Sequence, residues 1–245
     1  MSRSHVLETN LSTISYPSHI ITIKMIKNIV FDFGGVLVQH DFIAYFSDYF
    51  HSEEKARQFF AQALPHSFSD EVDRALHPFH YYIERQQRQW PEYADTIDRF
   101  DKHFADMFTG ETEGMYEWMC QLKAEGYRLL GLSNWSAKVH EVIDRFPRVF
   151  SPLEDSLISY TCHYLKPERE IYELFLSKFG VRPEECVFID DRPDNIEGAR
   201  KVGMHGVVFH DMDQLRLAIQ QLIEGKRVRD ASIYASKKYR SSFYS

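Results

Sequence analysis

The 245-residue chain is long enough for one large domain, or for a core with a smaller insert. Its 44% apolar and 27% charged residues are ordinary for a globular protein and argue against long-range disorder. The net charge of -7 advertises no broad basic surface for nucleic acid or anionic membranes.

No apolar run is long enough to span a bilayer. Glu8 and scattered polar groups interrupt any signal-peptide core, so a cytoplasmic protein is expected. Cys120, Cys162 and Cys186 lie far apart with no C-x-x-C pair, which suits buried free thiols in a reducing compartment.

In chain order, residues 1–24 are polar and mixed and are expected to form a loose extension. Met25 opens "MIKNIVFDF", where the first strand, Ile29–Phe31, runs into Asp32 and then Gly34 and Gly35. Residues 42–112 contain no good strand candidate and are rich in aromatic, amphipathic helical patterns such as "KARQFFAQAL" and "TIDRFDKHFADMF". They predict a small all-α insert after the first strand. Beyond it a helix–glycine–strand rhythm appears three times. Met115–Ala124, Gly126 and Leu129–Leu132 come first, then Glu168–Phe179, Gly180 and Val187–Ile189, then Ile196–Val202, Gly203 and Val207–Phe209. Each glycine sits where a helix end favours positive φ, and Pro167 suits the first turn of its helix. Continuously apolar strands are buried on both faces, so the pattern predicts an α/β doubly wound parallel sheet. The core would comprise residues 25–41 and 113–225, with the insert at 42–112. The basic tail, 226–245, is read as a frayed terminus, with a partner contact as the sharper alternative.

The strand ends carry the chemistry. The first ends at Asp32, the second at Ser133 and Asn134, the third at Asp190 and Asp191; Lys166 lies in a loop before a helix. Open parallel sheets bind ligands beyond the carboxyl ends of their strands. Three carboxylates gathered there repel one another unless a cation is present, and oxygen ligands favour Mg²⁺. A lysine and a small hydroxyl beside that ion suit a phosphate dianion. Taken singly, each residue has a plainer explanation as a turn or helix cap. Their order and common placement at strand ends make coincidence a poor account.

In these motifs the chain resembles the haloacid dehalogenase superfamily of hydrolases: Asp32 in "FDFGGVL", Ser133 in "LSNWS", Lys166 in "LKPEREIY" and Asp190–Asp191 in "FIDDRPDNIEGA". The match covers roughly residues 27–208, with the helical insert where that family places its C1 cap. The resemblance implies a Rossmann-like core and a phosphatase acting through an aspartyl-phosphate. It implies Asp32 as nucleophile, with Ser133, Asn134 and Lys166 holding phosphate. Mg²⁺ would be bound by Asp32, the Gly34 carbonyl and Asp191, with Asp190 nearby. The combination is similar to the sugar-phosphate branch that includes α-glucose-1-phosphate phosphatases, so a small phosphorylated metabolite is the expected partner.

One departure stands out. Most phosphatases of this superfamily carry a second Asp two residues after the nucleophile, which protonates the leaving oxygen; here that residue is Gly34. Glycine keeps the backbone carbonyl but supplies no acid. The proton then comes from elsewhere, with cap residues, His40 and Asp41 as candidates, or the substrate has an easy leaving group. Two alternatives follow: a metal-independent 2-haloacid dehalogenase, whose halide needs no proton, and a catalytically weak binding or regulatory protein. The acid pair Asp190–Asp191 would repel a haloacid carboxylate and ranks the first of these lower. Within the cap, His80, Arg85 and Arg88 are candidates to meet a polar substrate, although Phe79, Tyr82 and Ile83 beside them read as cap core. Trp135 either lines the cavity or packs between core and cap. No histidine or cysteine spacing supports a zinc site.

Overall fold

The computed structural model describes residues 26–224, so the amino-terminal extension and the basic tail lie outside the described residues. Among the described residues, seven strands form two sheets: β1 (Asn28–Phe31), β2 (Val38–His40), β3 (Phe108–Glu111), β4 (Arg128–Ser133), β5 (Asp155–Ile158), β6 (Cys186–Asp190) and β7 (His205–Val208). The main sheet is five-stranded and parallel, in the order β5-β4-β1-β6-β7. β1 lies in the middle, and its Ile29, Val30 and Phe31 are wholly buried. Burial of that kind on both faces is why its apolar residues run continuously instead of alternating. The chain leaves β1 for β4 on one side and later enters β6 on the other, so the carboxyl ends of β1, β4 and β6 meet at a topological switch point.

Five helices lie between β2 and β3: α1 (Phe42–Phe50), α2 (Glu53–Ala63), α3 (His66–Arg74), α4 (Phe79–Gln89) and α5 (Ala94–Lys102). Their interior is aromatic. Phe42, Phe46, Phe59, Phe60, Phe100 and Phe104 are all buried, and Phe42–Phe60 and Phe46–Phe60 meet edge to face. A buried phenylalanine contributes about 1.5–3 kcal/mol, so this cluster is enough to hold a small cap together. Six further helices cover the sheet: α6 (Met115–Ala124), α7 (Val139–Arg145), α8 (Pro147–Phe150), α9 (Arg169–Phe179), α10 (Pro193–Lys201) and α11 (Met212–Ile223). Gly126, Gly180 and Gly203 have positive φ angles of 85°, 60° and 93° just past the ends of α6, α9 and α10.

Several expectations need correction. The region 42–112 does contain a strand, β3, which pairs antiparallel with β2. The short ribbon carries the chain out to the cap and back. "FTGE" is brief and holds a glycine, so it lacks the apolar run that marks the buried strands. Edge strand β5 was also missed, because its Asp155 is exposed, its Ser156 is half-buried and only Leu157 and Ile158 are buried. Pro167 precedes α9, whose N-cap is Glu168, instead of occupying its first turn. Of the three cysteines only Cys186 is buried; Cys120 is exposed.

Candidate active site

Asp32 follows β1 directly, at the centre of the sheet's carboxyl edge. Its Oδ1 accepts hydrogen bonds from the Phe33 N–H at 2.7 Å and the Ser133 hydroxyl at 2.7 Å, and lies 2.8 Å from Lys166 Nζ. None of these contacts falls on Oδ2. Ser133 comes from the last residue of β4, which is why a hydroxyl on a neighbouring strand reaches Asp32. Lys166 is 4% exposed. Its ammonium also donates to Asp190 Oδ2 at 2.7 Å and to the Leu132 carbonyl at 3.1 Å. Burial works to lower the Lys166 pKa, but Asp190 and Asp32 outweigh it and raise it, so the lysine stays charged.

Asp190, the last residue of β6, is 0% exposed. It accepts from the Arg192 N–H at 2.8 Å and from Asn195 Nδ2 at 3.0 Å on each oxygen. Burial raises its pKa against the pull of Lys166. Asp191 is half-buried and packs beside Gly35. A Cβ on Gly35 would stand 2.8 Å from Asp191 Oδ2, and Gly35 has φ +73°. Glycine is therefore required there twice, once for the turn and once for the carboxylate. Asp32, Asp190 and Asp191 each offer an oxygen within 4.8 Å of the others. This all-oxygen, half-enclosed donor set fits a hard divalent cation.

Other expected residues lie as follows. Asn134 lines the cavity, but its side-chain amide donates to the Lys166 carbonyl at 2.9 Å and accepts from the Lys166 N–H at 2.8 Å. It holds the lysine's backbone. Trp135 lines the cavity and also stacks on Phe108, with ring centroids 5.2 Å apart, so both readings of it apply. Asp41 is the N-cap of α1, accepting from the Ala44 N–H at 2.7 Å. His40 lines the cavity, and its Cδ2 would lie 3.9 Å from a Cβ on Gly34. Burial lowers the His40 pKa to about 4, opposed by Asp41, so its ring is neutral. His80, Arg85 and Arg88 do not line this cavity. His80 is exposed, Arg85 pairs with Glu71, and Arg88 pairs with Glu84 one turn earlier.

The cap instead presents α3 to the cavity, through Phe68, Val72 and Asp73, with Phe79, Phe100 and Phe104 beside them. Burial pushes the Asp73 carboxyl up to about 8; Asp70 and Asp32 add to the rise, while a Ser136 N–H bond and Lys166 oppose it. Sequence reasoning missed Asp73 because "SDEVDR" reads as a solvated helix face. Only the docking of α3 turns that face inward.

A switch-point cavity that gathers an anchored aspartate, a buried lysine, a hydroxyl and two further carboxylates under a helical cap defines a hydrolase-type active site. The chain belongs to the haloacid dehalogenase-like hydrolase family, whose model matches residues 26–203. The D-ribitol-5-phosphate phosphatase of Bacteroides thetaiotaomicron is 29% identical over 203 residues, 73% of this chain and 89% of that protein. Flavin mononucleotide hydrolase 1 of Arabidopsis thaliana is 29% identical over 110 residues; that match spans 45% of this chain and under half, 44%, of that protein. Among solved structures, a family enzyme from Bacteroides thetaiotaomicron in complex with magnesium and inorganic phosphate superposes with a TM-score of 0.60. It is 22% identical, over 78% of this chain and 98% of that one. No helix among the described residues is long and apolar enough to cross a membrane.

Proposed function

We propose that the chain is a Mg²⁺-dependent phosphatase that hydrolyses a small phosphorylated metabolite, with Asp32 as a nucleophile that becomes phosphorylated. The observation that carries this reading is the hold on Asp32. Three donors fix Oδ1, so Oδ2 is presented in one orientation, which is what an in-line attack on phosphorus requires. The phosphatase relatives, above all the ribitol-phosphate enzyme, support a polar, phosphorylated substrate.

In this reading Asp32, Asp191 and the Gly34 carbonyl hold the cation, with Asp190 behind them. When bound, Mg²⁺ supplies positive charge against the phosphoryl oxygens and screens the carboxylates from an anionic substrate. Lys166 adds a positive charge beside Asp32, and the Ser133 hydroxyl, which rests on Asp32 Oδ1, would turn with nearby N–H groups to the transferring phosphoryl oxygens. Asn195 and the Arg192 N–H keep Asp190 in place, which in turn orients Lys166. The phosphoryl group passes to Asp32, and water then releases it as inorganic phosphate. The acid pair weighs against a haloacid substrate, whose carboxylate would meet Asp190 and Asp191 without compensation.

The test is phosphate release from a panel of phosphate esters with and without EDTA. Turnover is expected with Mg²⁺, to be lost on chelation, and to fall at least about 10³-fold in Asp32→Asn, in line with loss of a covalent nucleophile. Metal-independent halide release from 2-haloacids would sink the reading.

A further inference from the structure

A phosphate ester of an ordinary alcohol leaves as an alkoxide, and that departure needs a proton. Gly34 has no side chain to give one. Apart from Asp32, Lys166, Asp191 and Arg192, the cavity wall holds four titratable groups: His40, His66, Asp70 and Asp73. His66 and Asp70 are exposed and face each other at 3.8 Å on the outer turns of α3, where water competes for their protons. His40 is boxed in by Phe42 and Phe108, with ring centroids at 5.1 and 5.7 Å, in surroundings that keep it unprotonated. Asp73 is different on both counts.

Asp73 sits on the last turn of α3, and that turn is fastened to the core. The Ser159 hydroxyl donates to the Asp73 carbonyl at 2.8 Å. Arg74 pairs with Glu168 and donates to the His163 carbonyl at 2.9 Å. The Asp73 carboxyl lines the cavity beside Ser136, on the loop that follows Ser133, and the Ser136 N–H acts on its charge. It is close enough to Asp32 and Lys166 for both to act on its charge. Asp73 is thus a cap acid whose backbone is held by core contacts, with its side chain lining the same cavity as Asp32.

On the basis of the phosphatase reading above, we propose that Asp73 is the general acid and base of the reaction, supplied by the cap in place of a side chain at position 34. In the first step Asp32 Oδ2 forms a bond to phosphorus and the bond from phosphorus to the ester oxygen breaks. The departing oxygen takes the Asp73 proton and leaves as the alcohol. In the second step Asp73, now a carboxylate, takes a proton from the attacking water. The bond between phosphorus and Asp32 breaks, inorganic phosphate leaves, and Asp73 is protonated again. Burial, and after it the Asp70 charge, favours the protonated form this cycle starts from, against the Ser136 N–H and Lys166. The proton donor would also be in position only while the cap is docked, which couples chemistry to closure.

The test separates the first step by leaving group. Wild type, Asp73→Asn and Asp32→Asn are mixed with Mg²⁺ and either an aryl phosphate with a low-pKa phenol or an alkyl phosphate. Protein-bound phosphate is trapped by acid quench and free phosphate is measured. Wild type is expected to phosphorylate at rates that depend only weakly on leaving-group pKa. Asp73→Asn is expected to accumulate phosphoenzyme from the aryl ester, hydrolyse it slowly, and lose about 10²–10⁴-fold in phosphorylation by the alkyl ester. Equal losses on both esters, or no loss on either, would overturn the proposal. So would a steep leaving-group dependence in wild type, which tests it even if Asp73→Asn folds poorly. If wild type matches Asp32→Asn on every ester, the phosphatase reading itself falls, and the proposal with it.

Discussion

Adjacent glycines at positions 34 and 35 have opposite tolerances. Position 34 is open, with His40 Cδ2 at 3.9 Å as the nearest atom to an added methyl group. Position 35 combines φ +73° with Asp191 Oδ2 at 2.8 Å. Gly35→Ala should therefore cost about 1–2 kcal/mol in the left-handed backbone alone, and should push Asp191 out of place. The expected result is weaker Mg²⁺ binding and a lower melting temperature than in Gly34→Ala, read by Mg²⁺ titration and thermal denaturation. Equal behaviour of the two variants would show that Asp191 does not depend on this approach. At this scale the sequence was informative where chemistry is local. Asp32, Ser133, Lys166, Asp190 and Asp191 end strands or begin loops, and the structure gathers them in one place. It was silent where function depends on docking. Nothing in "SDEVDR" separates Asp73 from Asp70, yet both line the cavity and only Asp70 is exposed.

Between elements, Ser159, just after β5, ties α3 to the loop after β4. Ser159 is fully buried, and its hydroxyl accepts from the Trp135 N–H at 2.9 Å while its one proton points to the Asp73 carbonyl at 2.8 Å, with the Trp135 carbonyl farther off at 3.2 Å. Ser159→Ala leaves a buried N–H and carbonyl unsatisfied, at a cost of about 1–3 kcal/mol. Because one of those carbonyls belongs to Asp73, the variant should also lower turnover of alkyl phosphates more than its stability loss explains. Denaturant melts and kcat measured on the same preparation check this, and a stability loss without any effect on kcat would show that α3 is held by its other contacts. The same scale explains which strands were legible. β1, β4 and β6 are buried on both faces and therefore written as apolar runs. β5 lies at an edge, and β2 with β3 forms a ribbon outside the main sheet, so partial exposure permits Asp, Ser, Gly and Gln that blur the pattern.

For the molecule as a whole, the site is a local cost that the fold sustains. Asp32, Asp190 and Asp191 converge within 4.8 Å, and Lys166 is the buried cation that pairs with the first two. The excess negative charge opposes closure of the sheet edge unless a cation offsets it. Binding to the folded state alone stabilises it by about 2.7 kcal/mol when Mg²⁺ is a hundredfold above its dissociation constant. For a chain of this size that corresponds to a rise in melting temperature on the order of 5–10 °C. Asp191→Asn removes one charge from the cluster without touching the Lys166 pairs. It should melt higher than wild type in EDTA, and it should gain much less when Mg²⁺ is added. The two curves are expected to cross as Mg²⁺ rises, with wild type the more stable protein only once the metal is bound. A wild type that gains nothing from Mg²⁺, or an Asp191→Asn that gains as much, would remove the metal from this account of why three acids share one strand edge.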